Sequence, residues 1–254
     1  MSTETDQYPS ELSGFFPDFD KDDIALVKQV QHFTSTTPER IYALVKATEY
    51  IVNNDIPGAF VECGVYRGGS AVVIISTLLR LNKTDRHLYL FDTFEGMTEP
   101  TSLDINYSGE KASDLLQQEM QHRYEVGSVW AYSPISDVQR VVLASGYDAS
   151  KVHFVQGQVE HTIPTQAPDS IALLRLDTDW YESTRHELIH LYPLVSTNGV
   201  LLIDDYGHWQ GAKKATDEYL EEHNIPLLLN RIDYSGRIGI KIQDISQRKE
   251  TDVK

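Results

Sequence analysis

Residues 59–71 read AFVECGVYRGGSA, a short apolar stretch that runs into a glycine-rich turn and then into the start of a helix. Glycines after a strand permit a tight reversal, and the first turn of the following helix offers N–H groups to an anion. A strand-turn-helix unit of this kind opens an α/β domain, and the pattern recurs downstream.

Upstream, Thr37 caps a helix that has Pro38 in its first turn. Ile41, Leu44, Val45, Ala47 and Ile51 recur at helical spacing before a stop between Asn54 and Gly58. Downstream, the pattern predicts strands at 87–91, 152–155, 171–176 and 199–203, and helices at 69–81, 182–191 and 211–222. It closes with a strand pair at 226–232 and 237–242, joined by a turn at Asp233, Tyr234, Ser235 and Gly236. Residues 96–150 read as an irregular, lid-like insertion with helices near 112–121 and 135–144. Alternating strands and helices imply an α/β, Rossmann-like fold: a mostly parallel sheet with helices on both faces and a C-terminal antiparallel hairpin.

The 254 residues, 41% hydrophobic, suffice for one large core, expected over 36–254. Residues 1–35 read as an acidic, phenylalanine-bearing arm with a short helix near 22–32, packed on something. No apolar run is long enough for a bilayer, and MSTETDQYPSEL lacks the basic and apolar regions of a secretory signal, which predicts a cytoplasmic protein. The single cysteine, Cys63, agrees with a reducing compartment and reads as a small core residue rather than a nucleophile. A net charge of −16 argues against a nucleic-acid surface, disfavours a strongly anionic substrate and mildly attracts a cationic cofactor.

The glycine turn narrows the choice of cofactor. In the dinucleotide fingerprint the second glycine lets a pyrophosphate touch the backbone, but here Tyr66 occupies that place, which makes NAD a poor fit. An acid followed by Gly-x-x-x-Gly instead resembles the turn of S-adenosylmethionine enzymes. On that reading the cofactor set is Glu62, Gly64, Tyr66, Gly68, Gly69, Ser70, Asp92, Thr93 and Gly157, with Asp92 of LYLFDTFEG taking the ribose hydroxyls.

Two further strands end in acids, Asp177 in LLRLDTDWY and Asp204 in VLLIDDYGHW. In an open sheet, side chains at strand ends face the ligand crevice, and carboxylates gathered there repel one another unless a cation is present. Asp177 and Asp204 on neighbouring strands are candidate Mg²⁺ ligands, since Mg²⁺ takes hard oxygen donors. Asp179 is the candidate base for an acceptor hydroxyl. Asp179 and Asp205 also suit helix caps or solvated loop positions. His208 is either an alternative base or ligand, or a hydrogen-bonding surface group. Arg67 is expected to meet an acid.

The stretches ERIYALVKATEYI, IPGAFVECGVYRGGSA, LYLFDTFEGM, LLRLDTDWYEST and LLIDDYGHWQGAKKA, in that order, resemble the macrocin O-methyltransferase family. The resemblance implies methyl transfer from S-adenosylmethionine to hydroxyls of sugar-bearing natural products, as in antibiotic biosynthesis. It implies Mg²⁺ at Asp177, Asp204 and Asp205, Asp179 as base, and a homodimer or larger assembly in which the N-terminal arm is one possible contact. Tyr107, Trp130 and Tyr132 are candidate lid residues over the acceptor. Competing expectations are a catechol or phenol acceptor, a metal-dependent hydrolase, and a non-catalytic module that keeps the fold.

Overall fold

The computed structural model describes residues 16–242; the expectations for residues 1–15 lie outside the described residues. The described chain opens with helix α1 (Lys21–Val30), capped by Asp20, whose carboxylate accepts from the N–H groups of Asp22 (2.9 Å) and Asp23 (2.8 Å). Just before it, Phe16 stacks on Phe19 (4.7 Å between centroids) and Phe19 on Tyr42 (4.2 Å). Tyr42 lies on α2 (Pro38–Asn53), whose cap is Thr37, its hydroxyl accepting from Arg40 N–H at 3.3 Å.

There follow β1 (Ala59–Cys63), α3 (Gly69–Arg80) and β2 (Leu88–Asp92). The insertion carries α4 (Ala112–Gln118) and α5 (Ile135–Leu143). After it come β3 (Val152–Gln156), a single turn α6 (Val159–Thr162), β4 (Ile171–Leu176), α7 (Tyr181–Leu191), β5 (Val195–Ile203) and α8 (Gln210–Glu222). The chain closes with β6 (Asn230–Arg231) and β7 (Arg237–Ile240).

The seven strands form one sheet in the order β3-β2-β1-β4-β5-β7-β6, parallel from β3 to β5 and antiparallel at β7 and β6. The hairpin differs from expectation in its first strand, of which only Asn230 and Arg231 pair. Leu227 and Leu229 pack against the core without joining the ladder, while Leu228 is 83% exposed. Their apolar pattern is satisfied by burial alone.

Side chains alternate across each strand, and the alternation divides the core in two. Phe60, Leu88, Leu90, Leu173, Val200 and Leu202 face α1, α2, α3 and α5; Val61, Phe91, Leu174, Leu176, Leu201 and Ile203 face α6, α7 and α8. By the same parity, Glu62 and Arg175 point to the first side. The strand order reverses between β1 and β4, so a crevice opens beyond their carboxyl ends. No helix of the described residues is long and apolar enough to cross a membrane.

Candidate active site

Glu62 and Arg175 sit directly opposite each other on β1 and β4, and both are buried. Arg175 Nη1 donates to Glu62 Oε1 at 2.7 Å. Its Nη2 lies 2.7 Å from Asp177 Oδ2, 2.9 Å from Asp204 Oδ1 and 3.1 Å from Thr36 Oγ1. Arg40, from the first turn of α2, reaches the other oxygen of Asp204 and lies 3.0 Å from Asp233 Oδ2. Much of the cation that the strand-end acids require is therefore built into the chain. Sequence reasoning passed over both arginines. The signal for Arg175 was a lone charge inside the apolar run LLRL, which a buried strand tolerates only when the charge is paired. Arg67, expected to meet an acid, instead donates to the His32 carbonyl and lies over the Phe33 ring at 5.5 Å.

Glu62 is pushed up to about 7 by burial, with Arg175 opposing the rise. Burial also holds Asp177 well above the usual carboxylate range, against the pull of Arg175 and with the charges of Asp204 and Asp205 adding to the rise. Asp179 has a left-handed backbone (φ 68°), receives the Trp209 indole N–H on Oδ1 at 2.6 Å, and donates its own N–H to Asp205 Oδ2 at 3.1 Å. Burial, then the charge of Asp177, push its carboxyl up to about 7. Asp205 rises well above its ordinary value through burial and the neighbouring Asp179.

Among the described residues no group of three or more His, Cys, Asp or Glu side chains converges as a metal site would. The arginines account for this, holding both oxygens of Asp204 and one of Asp177. The donor chemistry still fits a hard divalent cation. Asp177 keeps Oδ1 outside those bonds, and Asp205 makes no ion pair among the described residues, so carboxylate oxygens of the kind a hard cation takes remain beside the arginines.

Opposite the acids stands the glycine turn. Gly64 has φ 82°, and a Cβ there would lie 1.9 Å from the Asp177 carbonyl oxygen, so only glycine lets β1 pass the end of β4 this closely. Asp92 clasps the turn: its Oδ2 accepts from Val65 N–H (2.7 Å) and Tyr66 N–H (3.0 Å), and its Oδ1 from Phe94 N–H (2.7 Å). Both oxygens of the acid expected at the ribose thus already serve the backbone. Gly157 N–H donates to the Asp92 carbonyl at 2.9 Å, and the Tyr66 hydroxyl accepts from Gly127 N–H of the insertion at 3.2 Å.

One cavity of about 350 Å³ joins the two halves. Gly64, Tyr66, Ser70, Asp92, Thr93 and Gly157 line it on the turn's side, and Asp177, Asp179, Asp204, Asp205 and His208 on the other. Of the remaining expected cofactor residues, Glu62, Gly68 and Gly69 stand behind this wall. Gly69 faces the Phe33 carbonyl, which a Cβ would meet at 2.7 Å.

The insertion is fastened to the acid-bearing side. Asp104, fully buried, accepts the N–H of Tyr181, the first residue of α7, on Oδ1 at 2.7 Å, while its Oδ2 accepts from Thr101 N–H (2.7 Å) and Oγ1 (2.9 Å). It therefore supplies an acidic partner to that helix start from 77 residues away. Trp180 and Trp209 meet edge-on at 4.9 Å, and Trp180 Nε1 donates to the Thr98 carbonyl at 3.1 Å. Of the candidate lid residues, Trp130 is half-buried against this cluster, Tyr132 meets Tyr124 edge-on at 4.8 Å, and Tyr107 is 66% exposed beside His208 and Tyr234.

A glycine turn and a strand-end acid cluster facing one cavity, at the switch point of a mostly parallel seven-stranded sheet closed by an antiparallel hairpin, define a Rossmann-like methyltransferase. The macrocin-O-methyltransferase (TylF) family profile matches residues 19–238, and the chain belongs to that family. A demethyldecarbamoylnovobiocin O-methyltransferase of Streptomyces niveus is 33% identical over 198 residues, 78% of this chain and 71% of the relative. An 8-demethyl-8-(2,3-dimethoxy-alpha-L-rhamnosyl)-tetracenomycin-C 4'-O-methyltransferase of Streptomyces olivaceus is 30% identical over the same share of this chain and 71% of its own length. The solved structure of the O-methyltransferase NovP superposes with a TM-score of 0.71 at 29% identity, covering 83% of each chain. The protein is an S-adenosylmethionine-dependent O-methyltransferase, and the hydrolase and non-catalytic expectations fall away.

Proposed function

We propose that the acceptor is a hydroxyl on a sugar-bearing natural product and that the reaction uses Mg²⁺. The observation that carries the mechanism is Asp179: a half-buried carboxyl in the wall of the cavity, oriented by Trp209 and facing the glycine turn across the same space. The relatives' names, which specify a novobiocin intermediate and a rhamnosyl tetracenomycin, support the acceptor class.

S-adenosylmethionine supplies an electrophilic methyl group on a sulfonium. A divalent cation held by Asp177, Asp204 and Asp205 would supply positive charge that eases loss of a nearby hydroxyl proton. Asp179 takes that proton as the acceptor oxygen bonds to the methyl carbon and the methyl carbon–sulfur bond breaks, leaving S-adenosylhomocysteine; a carboxyl raised above its ordinary value is a stronger base for this task. Trp209 keeps the Asp179 carboxylate aimed, and Arg175 and Arg40 fix the acids around it. Asp204, whose two oxygens meet Arg40 and Arg175, would hold the cation in place of one of those contacts. The turn from Gly64 to Ser70 with Asp92, Thr93 and Gly157 would hold the donor, and the helix start would offer N–H groups to its carboxylate.

The test is turnover by mass shift against a panel of aryl deoxyhexosides and catechols, with and without chelator. Methylation of glycosides that stops on chelation and returns with Mg²⁺ is the expected result. Preference for catechol would move the acceptor to the phenolic class, and turnover indifferent to chelation would remove the metal. A homodimer or larger assembly in the cytoplasm completes the reading, and light scattering on the full chain that gave a monomer would overturn the assembly.

A further inference from the structure

Three aromatic rings from three separate elements meet at the rim of the cavity on the side of the acids. Tyr107 comes from the insertion, His208 from the loop after β5 and Tyr234 from the turn between β6 and β7. Their centroids are 5.3 Å (Tyr107 to His208), 5.8 Å (Tyr107 to Tyr234) and 5.9 Å (His208 to Tyr234) apart, each pair edge-to-face. His208 Nδ1 and the Tyr234 hydroxyl are bonded at 3.1 Å.

We infer that the face of Tyr107, with His208 and Tyr234 set edge-on beside it, forms an acceptor platform on which the apolar face of a neutral pyranose ring stacks, so that Tyr107 determines acceptor specificity. This rests on the sugar-bearing acceptor proposed above.

The rings are held in place from below. Asn106 presents Tyr107 on a tight loop, its side-chain oxygen accepting from Ser108 N–H (3.0 Å) and Glu110 N–H (2.9 Å). Gly207 N–H donates to the Ser235 carbonyl at 2.9 Å, and Ser235 Oγ donates to the Asp204 carbonyl at 2.6 Å, which ties the platform to the strand bearing the acids. A Cβ at Gly207 would lie 1.9 Å from the Tyr234 carbonyl, so the two loops are as close as backbones allow. His208 and Tyr234 line the cavity while Tyr107 stands outside its wall, 66% exposed. A large exposed aromatic on a tight loop, in edge contact with two residues of the cavity wall, buries its face when a ligand arrives. The chemistry selects the ligand. A pyranose offers C–H groups to a ring face and hydroxyls to the phenol and imidazole tips at its edge, whereas a bare arene would leave those tips unmatched. The chain's net charge of −16 also favours a neutral ring over an anionic one.

The experiment titrates 4-nitrophenyl α-L-rhamnopyranoside and catechol into the full chain and into Tyr107→Ala and Tyr107→Phe. It follows saturation transfer to the sugar C–H protons by NMR, with S-adenosylhomocysteine calorimetry in parallel. Expected is transfer to the pyranose ring in the unmodified chain, about 10-fold weaker glycoside binding in Tyr107→Ala, recovery in Tyr107→Phe, and unchanged catechol and S-adenosylhomocysteine binding. Glycoside binding equal in Tyr107→Ala, or no transfer to the pyranose in the unmodified chain, overturns the platform. If S-adenosylhomocysteine still binds in that case, the methyltransferase reading stands. If S-adenosylhomocysteine fails to bind while transfer to the pyranose persists, the donor site of that reading fails and the platform stands.

Discussion

The indole N–H of Trp209 donates to Asp179 Oδ1 at 2.6 Å, so the proposed base is aimed by a residue at the threshold of α8. A bond to the ionised carboxylate favours that form and draws its pKa down. Trp209→Phe removes the donor and keeps the ring. The acid limb of the kcat/KM profile then moves to higher pH, and activity at pH 7 falls by about 10-fold while S-adenosylhomocysteine affinity holds. A pH-rate series on the two proteins checks this; an unmoved limb would show that Trp209 merely packs.

Asp179→Asn keeps the shape and removes the proton acceptor. Turnover falls by about 10²- to 10⁴-fold with little change in donor binding, measured by steady-state kinetics beside calorimetry. Activity within a few-fold of the parent would transfer the role to another group, such as His208 in the same wall.

Arg175 is the hub of three carboxylates, so Arg175→Met leaves Glu62, Asp177 and Asp204 without their shared guanidinium. Loss of one partner from such a buried network costs about 3–5 kcal/mol, read as a lowered urea midpoint. Adding Glu62→Gln recovers part of that loss, because a neutral amide no longer needs the cation. An additive double mutant would contradict the network.

Glu187 is fully buried on α7, and burial holds its carboxyl well above the ordinary Glu value although Oε1 accepts the Thr178 hydroxyl at 3.0 Å. The folded chain therefore keeps the Glu187 proton more tightly than the unfolded chain does. Its contribution to stability is fully present below the unfolded pKa of about 4.3 and is lost as pH rises through the folded value. Glu187→Gln removes this dependence, so the variant gains on the parent as pH rises from 5 to 8. Denaturant midpoints across that range test the sign.

The strand ends were legible because apolar runs such as VLLI break abruptly into acids, and the alternation of strands and helices fixed the sheet that gathers them. Asp177 and Asp204 therefore emerged as strand-end acids from local pattern, and as neighbours through the strand order that a Rossmann-like methyltransferase sheet implies. Their arginine partners did not, since Arg40 lies 164 residues from Asp204 and nothing local marks it. Asp104 was equally hidden, reading as one loop acid among many until the fold sets it at the start of α7. The run at 226–232 carries the pattern of a full strand although only Asn230 and Arg231 pair, because leucines that pack without pairing carry the same periodicity as leucines in a ladder.

Gly64 and Asp177 press so closely that the turn proposed for the donor and the strand end proposed for the base are a single mechanical part. A mutation that shifts one drags the other, which leaves evolution little room to tune chemistry at this seam. The loop tip bearing Tyr107 stands outside this seam, 66% exposed. Exchanging the loop tip that bears Tyr107 between relatives offers a route to new acceptors, whereas the hairpin is bound to the acids through Ser235 on Asp204 and Asp233 on Arg40.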